Sequence, residues 1–349
     1  MLNGTMIAIP SLVRIKRGAF GRLGSYCLRN GHSRVALVTS SDLPAEILDP
    51  VRVSLAESGI TIPFTGVSAA ASFEEAQRLF VALPPGIDAV VGIGGGRALD
   101  VAKYVAFLAR LPYLALPTSL SNDGFCSPGA SLAIEGRKRS LPAAMPYGVV
   151  IDLDVCLAAP GILWYSGVGD LAAKLTAVRD WKLAFHARGE AVNDFAALLS
   201  DATVHQFISR PLRDGEGARL LATALMLNGI AMEVCGSSRP ASGSEHLISH
   251  ALDRLSARPR LHGLQVGVAT YIVSILQEGQ SDAIGELFRR SGFWDAVRRD
   301  PMETGEWLEA VRLAPTLKSD FYTILSSRDC APEVERIIAS DPALRGCFR

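Results

Sequence analysis

The strongest constraint on what this chain can fold into is a switch in hydrophobic periodicity close to its middle. Up to about residue 150, short apolar runs of strand character alternate with amphipathic runs of helical character. "RVALVTS" from Arg34 precedes the helical pattern "PAEILDPVRVSLAESG", which Gly59 should stop. "FEEAQRLFVALPPG" leads into "DAVVGIGGG" from Asp88, then "ALDVAKYVAFLARL", then "PYLALPTS" from Pro112, and later "PYGVVIDLD" from Pro146. Apolar strands separated by helices of this length imply a parallel α/β sheet with helices on both faces. From about Pro160 onward the periodicity is helical, as in "GDLAAKLTAVRDWKLAFHA", "GARLLATALMLNGIAMEV" and "QVGVATYIVSILQEG". The expected organisation is an α/β domain over residues 1–160 and an all-helical domain over 161–349, with no internal repeat.

Composition narrows the function. A length of 349 residues allows two sizeable cores, and 35 basic against 35 acidic residues leave no net charge. A protein that holds nucleic acid through a basic surface is therefore not expected, and an anionic ligand needs a local site. The N-terminus lacks the layout of a secretory leader, and no apolar run of membrane-span length is apparent. Cysteines 27, 126, 156, 235, 330 and 347 show no C-x-x-C spacing, which argues against a disulfide framework and favours a reducing cytoplasmic compartment.

Two loops carry ligand-binding character. "VVGIGGGRALDVAK" runs an apolar strand into Gly94, Gly95 and Gly96 and then a helix, where glycine lets backbone approach a pyrophosphate and helix N–H groups favour negative charge. Arg97 stands where the third glycine of G-x-G-x-x-G would fall, so a plain tight turn remains open. "LPTSLSNDGFCSP" gathers Thr118, Ser119, Ser121, Asn122, Asp123 and Ser127 after the next strand. Loops at the carboxyl ends of parallel strands line the ligand crevice. A polar surface loop with capping side chains is the alternative.

In the helical half, "SGSEHLISHALD" places His246 and His250 four residues apart, on one helical face, in a chain with six histidines. His262 follows in "LHG", and Asp170 lies in "GVGDLAAK", where it can sit at or near a helix start. Spacing by itself does not decide between a chelating pair and two polar residues at a domain boundary, nor between a ligand and an N-cap for Asp170.

Taken in order, "GIGGGRALDVAK", "PTSLSNDGFCSP", "GVGDLAAKLTAVRDW", "SGSEHLISHALD", "LHGLQVGVAT" and "FYTIL" resemble the sn-glycerol-1-phosphate dehydrogenases. These belong to the wider group of iron-containing alcohol dehydrogenases, glycerol dehydrogenase and 3-dehydroquinate synthase. The resemblance implies an NAD or NADP cofactor and one divalent metal, zinc first, with iron or nickel as alternatives. It assigns Asp170, His246 and His262 to the metal, and His250, Asp123 and Asp170 to substrate and catalysis. Cofactor contacts would come from Gly94, Gly95, Gly96, Arg97, Ala98, Leu99, Asp100, Thr118, Ser119, Leu120, Ser121 and Ser127. The implied reaction is reversible reduction of dihydroxyacetone phosphate to sn-glycerol 1-phosphate, with His250 as a candidate proton relay. The synthases carry glutamate at the first ligand position, so Asp170 favours the dehydrogenase branch.

Other features stay open. Asp42 follows the first apolar run one position beyond the place of a ribose-binding acid, or it caps the next helix. "EGRKRS" from Glu135 could hold a substrate phosphate through Arg137, Lys138 and Arg139, but reads better as a solvated hairpin turn. Trp164, Trp181 and Cys126 read as core, and Leu120 replaces an expected proline. Competing functions are a paralogue reducing another aldehyde or ketone, a sugar-phosphate cyclase, and a binding protein that has lost catalysis. A small phosphorylated substrate and possible homo-oligomerisation complete the expectations.

Overall fold

A computed structural model describes residues 7–318 and 320–349. The chain divides into two units, Met1–Ala159 and Pro160–Arg349.

The first unit is built on strands β1 (Leu12–Lys16), β2 (Arg34–Ser40), β3 (Thr61–Ser68), β4 (Ala89–Gly94), β5 (Tyr113–Pro117) and β8 (Gly148–Asp152), paired in parallel in the order β1-β8-β5-β4-β2-β3. Successive side chains alternate across this sheet. Val35 and Leu37 of β2 join one core with Phe20, Leu23, Val51 and Leu55, while Ala36 and Val38 join another with Ala76, Leu79, Val101 and Val105. Helices thus cover both faces, which is why β4 and β5 are apolar at nearly every position and β2 is apolar over 35–38. Each fully buried Val or Leu there contributes about 1.5–3 kcal/mol. The edge strand β3 alternates exposed and covered positions along much of its length, with Pro63 within it.

A separate hairpin joins β6 (Gly129–Ile134) to β7 (Arg137–Pro142) through Glu135 and Gly136, both at positive φ. Arg137, Lys138 and Arg139 are exposed on it, as the hairpin alternative required. The other alternative for Asp42 fails: the helix Ala45–Glu57 has Pro44 at its N-cap and no side-chain capping bond.

The second unit is helical; among its described residues the extended pairing is one isolated bridge, Met302 with Phe348. Local chemistry sets the helix ends. Asn193 accepts from Ala196 N at 3.0 Å to cap Asp194–Ile208, Asp214 accepts from Gly217 N at 2.8 Å to cap Gly215–Cys235, and Gly189 at φ +69° ends Lys174–Arg188. Two expectations need correction. Asp170 is not at a helix start: it lies near the end of the helix Gly161–Ala172, which runs through Ala173 into Lys174–Arg188. Its glycines serve helix packing, described below. Gly215–Cys235 is also long and apolar enough to cross a bilayer by length and composition. Its buried Leu221, Ala222, Leu225 and Ala231 make it a core helix of this unit.

Candidate functional site

Two constellations emerge, one in each unit. In the first, β4 and β5 are hydrogen-bonded neighbours with Gly94 opposite Pro117, so the loops that follow them leave the sheet side by side. Gly94 adopts φ +145°, a region that favours glycine. Gly95 occupies the N-cap of the helix Gly96–Ala109 without a side-chain capping bond, and open space lies where its Cβ would be. The first N–H groups of that helix thus lack a side-chain acceptor at the cap, which suits an anion.

The second loop is pinned at both ends. Thr118 N donates to Gly94 O at 3.0 Å, and Asn122 accepts from Gly124 N at 2.9 Å while its amide faces Gly96. At the far end, the buried ammonium of Lys103 donates to Gly124 O at 2.6 Å, Ser127 O at 2.9 Å, Ser127 Oγ at 3.2 Å and Gly129 O at 2.7 Å. Burial lowers the Lys103 pKa, opposed by the Asp100 carboxylate, and burial pushes the Asp100 carboxyl up to about 6 against the pull of Lys103.

The structure therefore brings Gly94, Gly95, Gly96, Thr118 and Asn122 together. Arg97 is exposed, and Ser121 and Asp123 are half-buried. Ala98, Leu99, Ser119 and Leu120 are buried, and the Ser127 hydroxyl is engaged inside the loop with Gly124 O, Gly129 O and Lys103. Cys126 is fully buried, its thiol raised to about 12 by burial, and Trp164 and Trp181 are core. Sequence reasoning did not single out Lys103, because a lysine on a helix ordinarily reads as solvated.

In the second unit, Asp170, His246 and His262 form the group, among the described residues, whose potential ligand atoms lie within 4.8 Å of one another. Asp170 comes from Gly161–Ala172, His246 from Ser244–Leu255, and His262 from the first position of His262–Leu276. The Asp170 and His262 helices meet at glycines. A Cβ on Gly169 would lie 2.0 Å from Gly263 O, one on Gly263 would lie 1.9 Å from Ser166 O, and one on Gly267 would lie 2.9 Å from Gly169 Cα. Each of the first two glycines is the sequence neighbour of a donor residue, so the close crossing sets the donors side by side.

Asp170 Oδ1 stands 3.6 Å from Nε2 of both His246 and His262, while Oδ2 is 3.4 Å from Lys174 Nζ. Donors each about 2.0–2.2 Å from a shared tetrahedral ion would be about 3.3–3.6 Å apart, so this donor set fits a divalent cation. One carboxylate and two imidazoles also match the chemistry of such a site and leave positions open. Burial opposes ionisation of Asp170, but the Lys174 ammonium and the two histidines outweigh it and hold the carboxyl below its ordinary range. Burial lowers the His246 pKa, whereas Asp170 and Glu245 raise it, with a net upward shift.

His250 is outside this group. Its ring centroid is 6.4 Å from that of His246 and 6.0 Å from that of His262, and it is half-buried. Three further residues, not singled out in the sequence, complete the surroundings. Lys174 is wholly buried and also donates to Ala241 O at 3.3 Å. Glu245 Oε1 lies 2.9 Å from His246 Nδ1, and Asp180 accepts from Ser244 N at 2.7 Å at the start of the His246 helix. The available signals were the i,i+4 pairing of Asp170 with Lys174 and a glutamate directly preceding a candidate ligand histidine.

Comparison with known proteins adds an independent line. Residues 14–160 match the family model described as iron-containing alcohol dehydrogenase. The chain is 40% identical over 243 residues to a protein of Thermococcus sibiricus named glycerol-1-phosphate dehydrogenase [NAD(P)+], covering 68% of this chain and 69% of that one. It is 33% identical over 341 residues to a protein of the same name from Thermococcus kodakarensis, covering 95% and 97%. Among solved structures, glycerol dehydrogenase from Schizosaccharomyces pombe superposes with a TM-score of 0.76 at 19% identity, over 98% of this chain and 91% of that one.

Proposed function

The chain belongs to the glycerol-1-phosphate dehydrogenase family, within the iron-containing alcohol dehydrogenases, and from that premise we propose that it is a metal-dependent NAD(P)-linked oxidoreductase interconverting dihydroxyacetone phosphate and sn-glycerol 1-phosphate. The observation that carries this reading is the convergence of Asp170 Oδ1 with His246 Nε2 and His262 Nε2, 3.6 Å away in each case, in a family of NAD(P)-dependent alcohol dehydrogenases.

Asp170, His246 and His262 would hold the ion, with zinc the choice that suits this donor set. When bound, the ion supplies Lewis acidity at a carbonyl oxygen and the nicotinamide supplies the hydride. The chain's own residues prepare that chemistry. Lys174 engages one oxygen of Asp170 and leaves the other directed at the two histidines. The glycine loop and the loop from Thr118 to Ser127 offer backbone N–H groups and polar side chains for the dinucleotide, with Gly94, Gly95 and Gly96 admitting close approach. His250, one helical turn from His246, is the proposed proton carrier for the substrate oxygen. In the first unit, Asp123 is a proposed substrate-binding residue. The proposed substrate is a small phosphorylated ketone, and the proposed compartment is the cytoplasm; the apolar helices of the second unit make a homo-oligomer the proposed assembly.

The test is metal analysis of the purified chain coupled to oxidation of NADH or NADPH with dihydroxyacetone phosphate. Expected are about one divalent ion per chain, stoichiometric loss of reduced cofactor, and sn-glycerol 1-phosphate as product. Conversion of a sugar phosphate without net cofactor oxidation would mark a cyclase and overturn the reading.

A further inference from the structure

We propose that Glu245 is a positioning residue for the metal centre, holding the His246 imidazole by Nδ1 so that Nε2 faces the ion, and making His246 the more strongly supported of the two nitrogen ligands. The inference rests on the metal reading above.

Glu245 is fully buried and its carboxylate is used on both oxygens. Oε1 lies 2.9 Å from His246 Nδ1 and accepts from Gly243 N at 2.5 Å, and Oε2 accepts from the Thr176 hydroxyl at 2.9 Å. A carboxylate can only accept, so Nδ1 carries the proton in this contact, and in the neutral imidazole that a metal requires Nε2 keeps the lone pair. That lone pair belongs to the atom 3.6 Å from Asp170 Oδ1. A charged acceptor behind an imidazole fixes its tautomer and ring orientation and raises its basicity as a ligand.

His262 is backed differently. Its Nδ1 lies 3.2 Å from the Ser249 hydroxyl, which in turn accepts from Gln265 Nε2 at 3.0 Å. A neutral hydroxyl leaves the tautomer less tightly specified than a carboxylate does. The two nitrogen ligands are therefore inequivalent.

A purely structural account of Glu245, as a cap for Gly243 N and Thr176, leaves its charge unexplained. Asp180 sits beside it, also fully buried, accepting from Ser244 N at 2.7 Å, Ile324 N at 2.9 Å and Gln277 Nε2 at 3.0 Å. The two carboxylates close on Gly243, where a Cβ would lie 2.8 Å from Asp180 Oδ2 and 3.0 Å from Glu245 Oε2. Burial, then the Glu245 charge, pushes the Asp180 carboxyl up to about 6. Glutamine could keep the Gly243 N bond on its oxygen and donate its amide to the Thr176 hydroxyl, which has Ala173 O at 3.0 Å as another acceptor, without that repulsion. A second buried anion here is unfavourable for the fold taken by itself, and His246 is the group that gains from it.

The experiment measures zinc affinity of the full-length chain by competition with a chromophoric chelator, for the wild type and for Glu245→Gln, Glu245→Asp and Ser249→Ala. Glu245→Gln is expected to weaken zinc binding by about 10–100-fold, with the melting temperature of the chelator-treated chain unchanged or raised. Glu245→Asp, which keeps the charge, should recover part of the affinity, and Ser249→Ala should lose less than Glu245→Gln. In the zinc-loaded wild type the His246 Nδ1 proton should give a far-downfield proton resonance that Glu245→Gln lacks. Wild-type zinc binding retained in Glu245→Gln, or a loss of affinity matched by a loss of chelator-treated stability, overturns the role of Glu245 alone. Failure of the wild type to bind zinc, iron or nickel overturns the metal reading with it.

Discussion

Lys103 in the first unit and Lys174 in the second are both withdrawn from solvent, at 1% and 0% exposure, yet they sit among different partners. The Lys103 ammonium donates to four oxygens of the loop Gly124–Gly129, all neutral and all at 2.6–3.2 Å. Lys174 lies at longer range from its anionic neighbour, 3.4 Å from the Asp170 carboxylate, and 3.3 Å from Ala241 O. The first is saturated by short hydrogen bonds and works as a clamp that shapes a loop. The second is placed by charge, balancing a carboxylate that has another oxygen directed at two imidazoles. The first unit prepares its candidate site from backbone held in shape, and the second from side chains held in register.

The largest effect should come from the side-chain site. Asp170→Asn removes the anionic donor and with it the negative charge that faces Lys174. Loss of several kcal/mol of transition-state stabilisation corresponds to a fall in turnover of at least about a thousand-fold. Metal content measured on the same preparation should fall with it. Turnover near wild type would break the distinction between the two lysines, because Lys174 would then balance a carboxylate of no consequence.

Lys103→Met tests the other half. It strands two or three carbonyl groups at about 1–3 kcal/mol each, so the chain should lose on the order of 4 kcal/mol in denaturant unfolding. NAD(P)H binding, followed by fluorescence, should weaken as the loop relaxes, while metal content stays at the wild-type level. A loss of metal with unchanged cofactor binding would reverse the assignment of clamp and counter-charge.

How much of this was legible in the sequence divides along the same line. β2, β4, β5 and β8 stood out because strands covered on both faces carry continuous apolar runs. β1 and β3 did not: "LVRIK" carries two cations in five residues, and "TIPFTGVS" alternates on an edge and includes a proline. The two candidate loops were visible from glycine and hydroxyl clustering, and the structure places them side by side because their strands are neighbours. Asp170, His246 and His262 were drawn from a family resemblance; local spacing would have paired His246 with His250 instead. Lys174, Glu245 and Asp180 escaped notice because a charge in a helical pattern reads as solvated, and only tertiary packing reveals one that is buried.

Asp180 offers a smaller test, through pH. Its folded pKa of about 6 exceeds the ordinary 3.8, owing to burial and then to Glu245. The folded state therefore binds more protons than the unfolded state between about pH 4 and 6, and stability falls as pH rises through that window. The contribution is about 3 kcal/mol at most. In the metal-free chain, Asp180→Asn should flatten the fall between pH 4 and 6, read from denaturation midpoints. An unchanged slope would mean that Glu245 does not burden its neighbour, and would weaken the contrast between a strained acid pair here and the relaxed clamp at Lys103.

The finest test concerns the glycines that bring the donors together. Gly263 directly follows His262, and a methyl group placed on it would stand 1.9 Å from Ser166 O, a backbone atom of the Asp170 helix. Backbone on one helix cannot yield as a side-chain tip can, so Gly263→Ala must push the two helices apart or rotate one of them. Overpacking of this kind typically costs about 1–3 kcal/mol. Gly263 N also donates to Ser166 Oγ at 3.2 Å, and that bond lengthens with the shift. The displacement would act on the 3.6 Å separation between Asp170 Oδ1 and His262 Nε2, leaving His246, held from behind by Glu245, comparatively undisturbed. Zinc affinity should therefore fall further in Gly263→Ala than the modest loss of stability accounts for. Gly95→Ala is the matching substitution in the first unit: the methyl meets open space, so zinc affinity should stay at the wild-type level and any deficit should appear in NAD(P)H binding. If both variants lost zinc and cofactor binding together, backbone in the first unit and side chains in the second would no longer be separable ways of building a site.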